Sequence, residues 1–135
     1  MHITDVTGGW HGFKEMEVLK KVKESPDVTS FYFGHVDGTA VADDFKPGQY
    51  LTLRIPKDAA GLRHLELEHD ITRNYSLSCA PGLGYYRCSI KRDRRNDPVG
   101  LVSNYMHDDV KRGDTILVSK LPNSIYLNNS VSIIY

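Results

Sequence analysis

The chain has 135 residues, 17 Lys plus Arg against 17 Asp plus Glu, and a sequence pI near 7.0. That balance excludes a nucleic-acid binder working through bulk charge, so any phosphate must be met by a few placed cations. The length suits one domain burying roughly two-thirds of its unfolded surface. No run approaches the roughly 18–20 apolar residues of a membrane span, and Cys79 and Cys88, with no secretory pattern ahead of them, read as reduced cytoplasmic thiols.

In chain order, Gly8-Gly9 breaks an N-terminal arm and Trp10 is the first residue expected to be anchored. Phe13 to Lys23 alternates charged and apolar residues, with Phe13, Met16, Val18 and Val22 available for one side, before the turn Ser25-Pro26-Asp27. Val28 to His35 alternates as a strand, Asp37-Gly38 is a hairpin-type turn signal, and Lys46-Pro47-Gly48 is a tight turn delivering Gln49 to Ile55 as another strand. Pro56 to Asp70 is a charged surface loop with room for one helical turn. Thr72 to Cys79 and Tyr85 to Arg92 form the next strand pair, joined across Ala80-Pro81-Gly82-Leu83-Gly84. Arg92, Arg94 and Arg95 then read as a solvated charge run. Asp97-Pro98 supplies an N-cap and a proline at the first helical position, and Leu101, Val102, Tyr105 and Met106 recur at the spacing of an amphipathic helix. After the turn Lys111-Arg112-Gly113-Asp114, Thr115 to Ser119 is the closing strand. Short strands separated by Gly and Pro turns indicate an all-β sandwich or barrel.

Arg73-Asn74-Tyr75-Ser76 places a cation, an aromatic ring and a hydroxyl within four extended residues. Alternation puts Arg73 and Tyr75 on one face, Asn74 and Ser76 on the other. A guanidinium forks onto phosphate oxygens, a tyrosine lies flat on a ring system, and a serine hydroxyl reaches a ring heteroatom. Gly100-Leu101-Val102-Ser103 opens the helix, where backbone N–H groups and the dipole favour an anion. An Asp97 cap would compete for those donors. His64 and His69 match no metal-binding spacing, and no triad of hydrolytic type is present, so neither a metal site nor a catalytic side chain is expected.

Taken in order, Gly9-Trp10-His11-Gly12-Phe13, Phe45 to Leu53, Arg73 to Ser76, Tyr86 to Arg92, Gly100 to His107 and Lys111 to Asp114 resemble the FAD-binding domain of the ferredoxin-reductase superfamily. The likeness is greatest to the middle domain of flavohaemoglobins, the nitric oxide dioxygenases, and runs from about Trp10 to Leu117. It implies a small antiparallel Greek-key β-barrel capped by one short α-helix. It assigns Arg73 to the FAD pyrophosphate, Tyr75 to the isoalloxazine and Ser76 to the region of its reactive nitrogen. Asn74 contributes backbone contacts, Tyr50 a further flavin contact, and Lys91 the strand that approaches the cofactor. Gly100, Leu101, Val102 and Ser103 inherit the diphosphate, with the Ser103 hydroxyl as an added donor. His107 is structural.

The implied organisation is an arm over residues 1–9, the FAD barrel over 10–127, and a tail over 128–135 where an NAD(P)-binding domain would begin. Leu121-Pro122-Asn123-Ser124-Ile125-Tyr126 departs from the family pattern, with Asn123 where a glycine would fall. Globin and NAD(P)-binding domains are expected to be absent, so the chain is not expected to be active alone. In a complete enzyme such a domain relays electrons from NAD(P)H through FAD to haem. Alternatives are a modular flavin reductase with a separate protein partner and a cofactor-free β-barrel interaction module; FAD against FMN is left open.

Overall fold

The computed structural model describes residues 12–41, 45, 49–94 and 98–120. The N-terminal arm with Trp10, the Lys46-Pro47-Gly48 turn, Arg95, the Asp97 cap and the segment from Leu121 onward lie outside the described residues.

Among the described residues six strands form one antiparallel sheet: β1 (Lys14–Lys23), β2 (Val28–His35), β3 (Tyr50–Ile55), β4 (Ile71–Ser76), β5 (Tyr86–Lys91) and β6 (Thr115–Ser119), in the order β4-β3-β6-β1-β2-β5. Among the described residues a single 3-10 turn, Arg63–Leu65, interrupts the loop between β3 and β4, and one α-helix, α1 (Pro98–Asp108), precedes β6. This is the antiparallel barrel with a capping helix that the sequence implies. Alternation explains its filling: Leu51, Leu53 and Ile55 of β3, Tyr86, Cys88 and Ile90 of β5, and Phe31 and Phe33 of β2 are fully enclosed. Val102 and Met106 of α1 are buried too, four residues apart on one helical face. Each such side chain contributes about 1.5–3 kcal/mol by leaving water.

Three expectations change in detail. Thr115–Ser119 forms a strand but lies between β3 and β1, so it does not close the sheet. The Asp37-Gly38 turn forms, with Thr39 donating to Asp37 Oδ1 from both its N–H and its hydroxyl, yet the strands it joins do not pair. Finally, Val22 does not share a side with Met16 and Val18. The β1–β2 register shifts between Val18 and Lys20, so Val18 sits opposite Phe33 while Lys21, not Val22, sits opposite Phe31. A bulge at Leu19 thus exchanges the faces of the second half of β1. Gly34 makes room for it, since a Cβ there would lie 2.6 Å from Leu19 Cδ1. Turned inward, Lys21 donates to the carbonyls of His107 and Val110, both at 2.7 Å, and caps the C-terminal end of α1.

The barrel closes where β4 ends. Leu77 bridges to Cys88, Leu77 N–H donates to Gln49 O at 3.0 Å, and Ser78 N–H donates to Arg87 O at 2.7 Å. The Arg87 guanidinium also holds the Ser78 hydroxyl and carbonyl. Beyond this junction β4 pairs with β3 and β5 pairs with β2, so the predicted strand pair meets only at its base.

Candidate functional site in the seam between β4 and β5

The diverging ends of β4 and β5 leave a seam, and α1 lies in it, touching β4 on one side and hydrogen-bonded to the end of β5 on the other. Extending the Leu77–Cys88 register by arithmetic would set Asn74 across from Lys91 and Tyr75 across from Ile90, although the strands have parted there. The seam therefore gathers β4, the last residues of β5 and the start of α1.

On β4, Arg73 is opposite Leu53 and Tyr75 opposite Leu51, so both belong to the inward face. Each remains half-buried. Arg73 Nη1 donates to the neighbouring Thr72 carbonyl at 3.0 Å, while its Nε is shielded from water without a hydrogen-bond partner among the described residues. A donor so placed costs free energy until an acceptor arrives. Tyr75 packs on the edge of the core, and burial pushes its phenol up to about 12, so the ring is neutral at physiological pH. Asn74 and Ser76 face outward with Thr52 and Tyr50, their respective partners on β3; the Thr52 hydroxyl donates to Asn74 Oδ1 at 2.7 Å. Tyr50 thus stands beside Ser76, which is exposed.

Lys91 ends β5 with its side chain exposed. Gly100 and Leu101 lie in the first turns of α1, whereas the N–H groups of Val102 and Ser103 already have helical acceptors four residues back, at Pro98 and Val99. Val102 points into the core. The Ser103 hydroxyl is committed elsewhere: it donates to Gly100 O at 3.2 Å and accepts from Asp93 N–H at 2.8 Å.

Sequence reasoning missed a second set of contacts. Arg92 is not a solvated charge: Nη1 donates to Asn104 Oδ1 at 2.8 Å, and the fork grips Asp108 at 2.7 and 3.1 Å. The pairing holds the Asp108 carboxyl below its ordinary range. Arg94 pairs with Asp27 at 2.6 Å on the surface. His107 donates from Nε2 to Ile90 O at 2.7 Å, which fixes the tautomer and leaves Nδ1 to accept from the Thr29 hydroxyl at 3.3 Å. Ser103, Asn104, His107 and Asp108 make a polar stripe at helical spacing, and that pattern was the available signal. His64 and His69 are exposed on their loop, and no cluster of metal-ligating type occurs among the described residues.

No protein-family model matches the chain. The flavohemoprotein of Oceanobacillus iheyensis is 45% identical over 112 residues, 83% of this chain and 26% of the relative. That of Bacillus thuringiensis subsp. konkukian is 46% identical over 122 residues, 90% of this chain and 28% of the relative. The chain is homologous to flavohemoproteins. It spans about a quarter of the length of these relatives. Among solved structures, the flavohem-like FAD/NAD binding domain of nitric oxide dioxygenase from Vibrio cholerae superposes with a TM-score of 0.66 at 34% identity, covering 82% of this chain and 44% of that one. The flavohemoprotein homologue therefore has the FAD-binding barrel fold of ferredoxin-reductase-like proteins. No helix among its described residues is long and apolar enough to cross a membrane.

Proposed function

We propose that this chain is the FAD-binding domain of a flavohaemoglobin-type oxidoreductase, with the cofactor's diphosphate and ring seated along the seam between β4 and β5. The observation that carries the proposal is Arg73 Nε, a water-shielded donor without a partner among the described residues. It fits an anion, and the start of α1, a helix that packs against β4, would add N–H donors. Arg73 would hold the pyrophosphate together with the stretch 100–103 that opens α1. Tyr75 would offer its neutral ring to the isoalloxazine, and Ser76, with Tyr50 beside it, would place a hydroxyl at the ring edge. Asn74 would act through its backbone, and Lys91 would stand across the seam as a second cation.

Bound there, FAD would supply the capacity to take a hydride and pass electrons on singly. The chain's own residues bind, orient and shield; none carries a proton-transfer step. The donor would be NAD(P)H held by a nicotinamide-binding domain and the acceptor a haem in a globin domain, as the composition of the relatives suggests, or separate partner proteins would provide both. The barrel would occupy residues 10–127, between an arm over 1–9 and a tail over 128–135.

The test is titration of the flavin-stripped chain with FAD and, separately, FMN, followed by flavin fluorescence and absorbance. Saturable quenching with a structured visible band supports the reading. Absence of binding at high micromolar flavin contradicts it and leaves a cofactor-free barrel.

A further inference from the structure

Asn104 sits where α1, the end of β5 and the loop between them meet. Its Oδ1 accepts from Arg92 Nη1 at 2.8 Å, and its Nδ2 donates to Asp93 O at 3.0 Å. Arginine can only donate and a backbone carbonyl can only accept, so the amide orientation is fixed by chemistry. Asp93 is held a second time, its N–H donating to the Ser103 hydroxyl at 2.8 Å. One residue of the connecting loop is thus clamped through both its N–H and its carbonyl by consecutive residues of α1. Arg92, the residue before it, is clamped by Asn104 and Asp108. His107 adds a bond to Ile90 O, so residues 90, 92 and 93 are all fastened to the one helical stripe.

The apolar face of α1, carrying Val102 and Met106, fixes how deeply the helix sits but tolerates sliding along its axis. Directional bonds at both ends of the stripe remove that freedom. We infer that Asn104 is a positioning residue, setting the axial register of α1 so that its leading N–H groups meet the phosphates of a dinucleotide lying in the seam. This rests on the flavin reading above. The position asks for an acceptor and a donor in one side chain: aspartate accepts from Arg92 but cannot donate to Asp93 O, and leucine does neither.

The test uses wild type, Asn104→Ala and the near-isosteric Asn104→Asp, each titrated with FAD and with riboflavin, which has the ring but no phosphate. Thermal midpoints without flavin are recorded beside the affinities. Both variants should weaken FAD by about tenfold while riboflavin affinity stays within about twofold, because one clamp is lost and the ring contacts on β4 are untouched. Unchanged FAD affinity in both variants would overturn the inference. So would FAD and riboflavin weakening in parallel, which is the mark of a general structural role. A wild-type chain that binds no FAD would overturn the flavin reading and this inference with it, an outcome distinct from the other two.

Discussion

Leu77 bridges to Cys88 at the base of the seam, and one residue further Ser78 N–H donates to Arg87 O at 2.7 Å. That short junction ties the two ends of the strand order, β4 and β5, while leaving their far ends apart with α1 between them. The barrel is thereby closed enough to bury its core and open enough to present one strand, Arg73 to Ser76, beside a helix start. The predictions below follow from that arrangement.

Arg73→Ala should weaken FAD by about 1.5–3 kcal/mol, the range for a charge-assisted bond to phosphate. Without flavin the same variant should unfold at the same temperature or slightly higher, because it removes a buried donor with no partner among the described residues. Calorimetry with and without FAD checks both halves.

Tyr75 gives an alkaline signature. Its folded-state pKa, pushed up to about 12 by burial, lies above the unfolded value of 10.0, so the folded chain holds the proton more tightly. Its contribution to stability is complete below pH 10 and declines as pH rises toward 12, by about 1.4 kcal/mol per unit of pKa difference at most. Urea denaturation at pH 9 and pH 11 should show a smaller loss for Tyr75→Phe than for wild type. Cys88 titrates in the same direction and is common to both proteins.

His107 works in the opposite sense. Burial lowers its pKa below 6.5, and the nearby cations Lys21 and Arg92 add to this, opposed by the Ile90 hydrogen bond and Asp108. The unfolded chain therefore binds the extra proton more readily, and stability present above pH 6.5 is lost as pH falls through the folded-state value. His107→Gln, which retains a donor and an acceptor without titrating, should lose less stability between pH 7.5 and 5 in denaturant melts.

How far the sequence spoke for itself differs from element to element. The strands of the barrel and α1 were legible, because alternation and the Leu101, Val102, Tyr105, Met106 spacing follow directly from which face is buried. The inward turn of Lys21 was not. A one-residue bulge leaves no mark in a local pattern, and its cause, the Leu19 side chain over Gly34, lies on the neighbouring strand. Arg92 was misplaced for a related reason: a charge run looks solvated until the helix that folds back on it brings Asn104 and Asp108. Within the candidate site, Arg73 and Tyr75 share a face as alternation requires, whereas the inward commitment of the Ser103 hydroxyl depends on Asp93, ten residues away.

Lys21→Ala tests the bulge. It removes the bonds to His107 O, in the last turn of α1, and to Val110 O just beyond it, together with a cation placed 5.5 Å from the Phe31 ring, and should cost about 1–3 kcal/mol in urea melts. Deleting Leu19 should be worse, since every later β1 residue would change face.

The most direct measurement for the central claim is amide chemical-shift mapping of the isotopically labelled chain during titration with FAD. The account predicts that the largest shifts fall on residues 73–76 of β4 and the first turn of α1, with smaller ones at Lys91. Largest shifts elsewhere would contradict it, for example around the cleft lined by Arg54, Pro56 and Tyr105. So would a spectrum that does not respond to FAD at all.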